Sequence, residues 1–152
     1  MTRLSTRIAT VAGLWLAMAV ATPSAAAPEQ VDVIYLVAYA HNEDAEFDRR
    51  LAPVKSALQT LGFSGYAFVS TGKWSMGVGD SRSVNLDSGY TLQIHLDEIA
   101  DEGARLTVWL TRPDKSDPAR INLKIKPNAV VVFGGTDYKQ GKLVVPIRVK
   151  YP

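Results

Sequence analysis

Two histidines, a run of alternating acids, a pair of tryptophans and one glycine-rich stretch are the parts of this sequence that could do chemistry. In "HNEDAEFD", His41 to Asp48, the residues Asn42, Asp44, Glu46 and Asp48 hold the alternating positions that begin a calcium loop. The turn glycine of such a loop would fall on Phe47 and its bidentate glutamate on Pro53, so the second half of the motif is missing. His41 with Glu43 or Asp44 offers a transition metal two donor types, but no second histidine stands nearby. Asp44 or Asp48 suits a different task, accepting hydrogen bonds from the first amides of a following helix. No metal ligand or cofactor is assigned.

Nucleophilic catalysis needs a serine or threonine against a histidine that a carboxylate orients. Only His41 and His95 are present, and "GVGDS", Gly77 to Ser81, does not have the form of a nucleophile elbow. His95 and Asp97 lie two apart, on one face if the segment is a strand. Cleavage of an envelope polymer by paired carboxylates is the alternative activity, with Glu43, Asp44, Asp97 and Asp101 as its candidates. Two of them would have to converge in one cleft. The stretch "VFGGTDYKQGKLVVPIRV", Val132 to Val149, fails as a phosphate loop because Gly141 is followed by Lys142, Leu143 and a strand pattern. Its glycines are expected at a bulged hairpin connection.

The residues that could form a partner or ligand surface are therefore Trp74, His95, Trp109, Tyr138 and Arg148. Trp74 is expected in a flexible glycine-rich loop and Trp109 on the polar face of a strand, where each ring could serve as a platform for a glycan or a protein.

The elements that must position these groups follow from periodicity. "VDVIYLVAYA", Val31 to Ala40, is apolar on both faces except at Asp32, the pattern of a strand covered on both sides. The polar loop from His41 precedes "LAPVKSALQTLG", in which Leu51, Val54, Leu58 and Leu61 recur at helical spacing and Gly62 holds the cap position. Pro53 sets the start of the regular helix, of roughly two to three turns.

Beyond Gly62 the period changes to 2. Leu92, Ile94 and Leu96, then Leu106, Val108 and Leu110, then Ile121, Leu123 and Ile125 alternate with polar residues. Pairing Ala100 with Ala104 keeps the even-numbered apolar residues on one face and predicts His95 opposite Trp109. Pro146 with the outward Lys142, Arg148 and Lys150 predicts that the last strand is a sheet edge or carries a bulge. The fold class is mainly β: an antiparallel sandwich or partly open barrel of seven to eight strands with one short α-helix after the first strand.

Arg3 and Arg7 precede an apolar run from Ile8 to Ala21 and a small-residue segment ending at Ala27, the order of parts in a secretory signal peptide. Cleavage is expected after Ala26, leaving residues 27–152 as a single exported β-rich domain, periplasmic or extracellular, with no membrane anchor. The chain's net charge of +2 resides in Arg3 and Arg7, so the remaining basic residues equal the 15 acidic ones. A balanced domain lacks the electrostatic footprint of a nucleic-acid binder. Without cysteine the fold rests on its core alone.

The order "VDVIYLVAYA", Asp48 to Leu51, Tyr66, Leu86 to Gly89 and Gly134 to Leu143 resembles small exported β-rich proteins of Gram-negative bacteria. The resemblance implies a β-rich fold and export, and no activity. The function expected is non-catalytic binding of a protein or cell-envelope component, with strand addition at the final strand, near Tyr151, as one mode.

Overall fold

The computed structural model describes residues 27–86, 89–114 and 117–152. The segment read as a signal peptide, residues 1–26, lies outside them, as do Asp87 and Ser88 of the Leu86 to Gly89 motif. Eight strands form two four-stranded antiparallel sheets packed as a sandwich. One sheet has the order β2 (Gly65–Gly77), β1 (Gln30–His41), β8 (Gly141–Lys150), β7 (Val130–Tyr138). The second is a meander of β3 (Ser81–Asn85), β4 (Thr91–Ala100), β5 (Gly103–Thr111) and β6 (Ala119–Ile125). Among the described residues no helix is long and apolar enough to cross a membrane.

The core between the sheets is built from alternate residues of both. Val31, Val33, Tyr35 and Val37 of β1 and Leu143, Val145, Ile147 and Val149 of β8 face Leu92, Ile94, Leu96, Leu106, Val108 and Leu110. On the outer side of the first sheet, Leu51, Val54 and Leu58 pack on Ala38, Ala40 and Val144. The small alanines let this helical segment sit close to the strands, and its cover explains why β1 is apolar on both faces. The segment is a 3-10 turn, Arg49–Val54, followed by a single turn of α-helix, α1 (Lys55–Gln59), with positive φ at Gly62 just beyond. It is shorter and less regular than its spacing predicts, with Pro53 inside the 3-10 part.

Four expectations are corrected. β8 is an interior strand, paired with both β1 and β7, so the strand ending before Tyr151 offers no free edge. Pro146 is tolerated because the β1 ladder has no bridge between Tyr35↔Ile147 and Ala38↔Val144, where its missing N–H would have been needed. Second, Trp74 lies in β2, not in a loop, facing the sandwich interior beside Tyr35 with ring centroids 4.6 Å apart. Third, His41 is the last residue of β1 and only 5% exposed, inside the strand and not in the polar loop.

Fourth, the β4–β5 register differs by one residue at the turn and by two beyond the bulge. Ala100 pairs with Gly103, and His95 sits opposite Thr107, not Trp109. The tight turn gives a parity that would set apolar residues against polar ones. An extra residue, Asp97, between the Leu96↔Leu106 and Glu98↔Arg105 pairs restores it. The glycines of the closing stretch are likewise displaced from the connection: Gly134 and Gly135 form a bulge inside β7, and Lys139 with Gln140 makes the turn.

Candidate functional site

The uncovered face of the second sheet carries a polar network that crosses all four of its strands. Its register aligns Ser81 of β3, His95 of β4, Thr107 of β5 and Asn122 of β6 as directly opposed residues in one row across the strands. All four point away from the core because their strand neighbours, Ile94, Leu96, Leu106, Val108, Leu123 and others, point into it. The bulge supplies the fifth member, Asp97, whose unpaired position turns its carboxylate into the row.

Ser81 Oγ lies 3.0 Å from His95 Nδ1, and His95 Nε2 lies 3.5 Å from Asp97 Oδ1. With the ring proton on Nε2, toward the carboxylate, Nδ1 accepts from the serine hydroxyl. Thr107 donates its single hydroxyl proton to Asp97 Oδ2 at 2.6 Å. The side-chain amide of Asn122 is 3.0 Å from the same threonine oxygen. The Asn122 atom facing it is Oδ1, so the one threonine proton is shared between Asp97 Oδ2 and Asn122 Oδ1, and the Asn122 NH2 is left turned away from the threonine. Thr107 is 5% exposed although it lies on an uncovered face, so it forms the floor of a depression. A cleft of about 560 Å³ opens here, bounded by Asp97, Arg105, Arg120, Asn122 and Lys124. That volume falls in the range of small-ligand sites.

The next row is Gln93, Trp109 and Arg120, with the Arg120 guanidinium 5.6 Å from the centre of the Trp109 ring. On the other side Arg105 meets Glu98 at 3.5 Å and Lys124 meets Glu102 at 3.6 Å. Arg120 has no carboxylate partner among the described residues.

The Ser81, His95, Asp97 series has the connectivity of a nucleophile, base and orienting acid, and Ser81 could not be singled out from sequence because its partner is on another strand. Acyl transfer also needs N–H donors aimed at a developing oxyanion. Strand amides lie in the plane of the sheet, so β3 raises none toward the face.

The five residues expected to share a surface separate. His95 and Trp109 share the outer face of the second sheet, in neighbouring rows and one strand apart. Trp74 belongs to the interior. Tyr138 is 8% exposed and packs edge-on against Tyr39 and Tyr90, with ring centroids 5.3 and 5.4 Å apart. Arg148 stands on the outer face of the first sheet, opposite Ile34 and Val130, beside a slot lined also by Pro53 and Pro146.

A second cleft, of about 440 Å³, lies at the end of the sandwich between Tyr39, His41, Phe47, Tyr66 and the acidic loop. The loop acids are occupied in shaping it. Asp44 accepts from the Glu46 amide, and Asp48 from the Arg50 amide and guanidinium. The Arg50 guanidinium and amide hold Asp48 well below the ordinary carboxylate range. Burial, aided by the Glu43 carboxylate, pushes the Tyr39 phenol up. Among the described residues no three metal-ligating side chains converge.

Of the four candidate carboxylates, Glu43 and Asp44 line this end cleft. Asp101 occupies the β4–β5 turn at the opposite end, where β8 finishes and Tyr151 donates to the Ala100 carbonyl. Asp97 is on the open face. The fold thus brings neither Asp97 nor Asp101 to the other two. No protein-family model, curated protein or solved structure matches the chain.

Proposed function

We propose that this chain is an exported, non-catalytic β-sandwich domain that binds a cell-envelope component on the open face of its second sheet. One observation carries the reading: Ser81, His95, Asp97, Thr107 and Asn122 form a polar row, hydrogen-bonded from Ser81 to His95 and from Asp97 through Thr107 to Asn122 with His95 and Asp97 3.5 Å apart, on a face that no other part of the described chain covers. A row with a rigid strand backbone beneath it, an outward donor and acceptor and an adjacent tryptophan is a pre-organised surface for a hydroxyl-rich ligand. Export is supported by the charged, apolar and small-residue order of residues 1–27. The resemblance of the motif order to that of small exported β-rich proteins supports it as well.

The test is retention on envelope polymer. Residues 27–152 are mixed with insoluble envelope polymer and with a protein extract of the same envelopes. The expected result is cosedimentation with the polymer, reduced about tenfold or more by Trp109→Ala, as loss of a stacking anchor would give. Capture of extract protein that Trp109→Ala does not alter would overturn the placement on this face. Turnover of an ester or glycoside substrate that is lost in Ser81→Ala or Asp97→Asn would overturn the non-catalytic reading.

A further inference from the structure

The charges around the cleft narrow the ligand class, on the reading that the open face is the binding surface. Three cations rim it, and two have partners. Arg105 is engaged by Glu98 and Lys124 by Glu102, and neither glutamate lines the cleft. Arg120 has only the Trp109 ring beneath it, so its donors remain open. A guanidinium holds a planar carboxylate through two parallel hydrogen bonds, which a lysine does not. Two residues along the same face of β6 stands Asn122, roughly 7 Å from Arg120 by strand rise. Its outward NH2 donates, while Asp97 across the cleft floor accepts, and both suit ligand hydroxyls.

The arrangement therefore offers one carboxylate clamp, a donor and an acceptor for hydroxyls about one pyranose ring away, and an indole beside them. Asp97 adds a selection against high charge. A phosphate dianion or a densely sulfated chain would place a second negative charge near this carboxylate, where like charges repel. A single carboxylate on Arg120 avoids it.

We propose that the face binds a carboxylated sugar unit of an acidic polysaccharide, with the sugar carboxylate on Arg120, ring hydroxyls on Asp97 and Asn122, and the ring against Trp109. One ionic contact implies a shallow salt dependence, on the order of one counterion per site, unlike the steep dependence of a polyanion groove.

The probe is trigalacturonate, with galactotriose as its neutral counterpart and heparin trisaccharide as a densely sulfated one, titrated into residues 27–152 by heteronuclear NMR. Trigalacturonate should bind at least about tenfold more tightly than galactotriose, and its shifts should cluster at His95, Thr107, Trp109 and Asn122. Arg120→Gln should bring trigalacturonate down to the galactotriose affinity while leaving galactotriose unchanged. Asp97→Asn should weaken both sugars and admit the sulfated probe. Equal affinity for acidic and neutral sugars, or an unchanged ratio in Arg120→Gln, overturns the carboxylate assignment and leaves the binding face standing. Preference for the sulfated probe, or binding of none of the three, overturns it too. Shifts that cluster at the Tyr39 end cleft overturn both the assignment and the face. Circular dichroism of each variant separates lost contacts from lost folding.

Discussion

At the scale of single residues, the groups with the clearest electrostatic signature are structural. Asp48 caps the 3-10 turn by accepting from the Arg50 amide at 3.0 Å and also holds the Arg50 guanidinium at 2.7 Å. Arg50 in turn lies over Phe68, 4.2 Å from the ring centre. The pair sits where the chain leaves β1 and turns under the first sheet, so the cap fixes the entry to the helical segment. Because Asp48 is held below its ordinary range, it binds its proton more weakly folded than unfolded. Its contribution is complete above about pH 4 and fades as the pH falls toward the folded value. Asp48→Asn keeps an oxygen for the amide and removes the charge. The urea midpoint of this variant should lie below that of the parent at pH 7, with the gap narrowing steadily as the pH falls from 4 to 2. A gap that stays constant across that range would remove the ion pair from the account. The pair is partly exposed, so added salt should narrow the gap at pH 7.

Among the elements, the bulge of β7 shows how a strand can be specified by one glycine and indifferent to its neighbour. Gly135 has φ of +70°, and a Cβ there would stand 1.4 Å from the Leu143 carbonyl oxygen. Gly134 has nothing within 4 Å of the same added atom. Gly135→Ala should therefore cost about 3 kcal/mol or more, since both backbone strain and a clash with an unyielding main chain must be relieved. Gly134→Ala should stay within about 0.5 kcal/mol of the parent in the same equilibrium denaturation. Equal effects would show that the bulge is not formed as described. The existence of each element was legible from local signals: period 2 for the meander, 3.6 for the helical segment, positive φ at Gly62. Register and strand order were not. Ala100 and Ala104 satisfy the hydrophobic pattern as well as Ala100 and Gly103 do, and only the bulge at Asp97 decides between them. Pro146 and the outward cations of β8 imitate an edge. The contrary signal was Val144, apolar on the outward side and buried under the helical segment. Of the site, His95, Asp97 and Trp109 were visible as a polar strand face. Ser81, Thr107, Asn122 and Arg120 join them only through register, a property of pairs of strands.

For the whole molecule, the decisive feature is that neither sheet can cover its own apolar face. β1, β2 and the helical segment come first, the meander follows, and β7 and β8 return to place β8 beside β1. The first sheet is thus complete only when the last strand arrives, and the core between the sheets only when both exist. No disulfide can hold either half meanwhile, since the chain has no cysteine. Cooperative unfolding of both sheets follows, and the two tryptophans of residues 27–152 report on it from different places. Trp74 lies inside the first sheet's face of the core and Trp109 outside the second sheet. Leu106, in the second sheet, is fully buried in the core between the sheets. Leu106→Ala should cost about 2–5 kcal/mol through lost contacts and the cavity left behind, lowering the melting temperature by roughly 10 °C. Followed by fluorescence in Trp109→Phe and Trp74→Phe backgrounds, the loss should be the same for the reporter in either sheet. A lower midpoint for Trp109 than for Trp74 would mean that the meander melts alone. The open face would then be a separable unit, held in shape by its own hairpins and not by the sandwich beneath it.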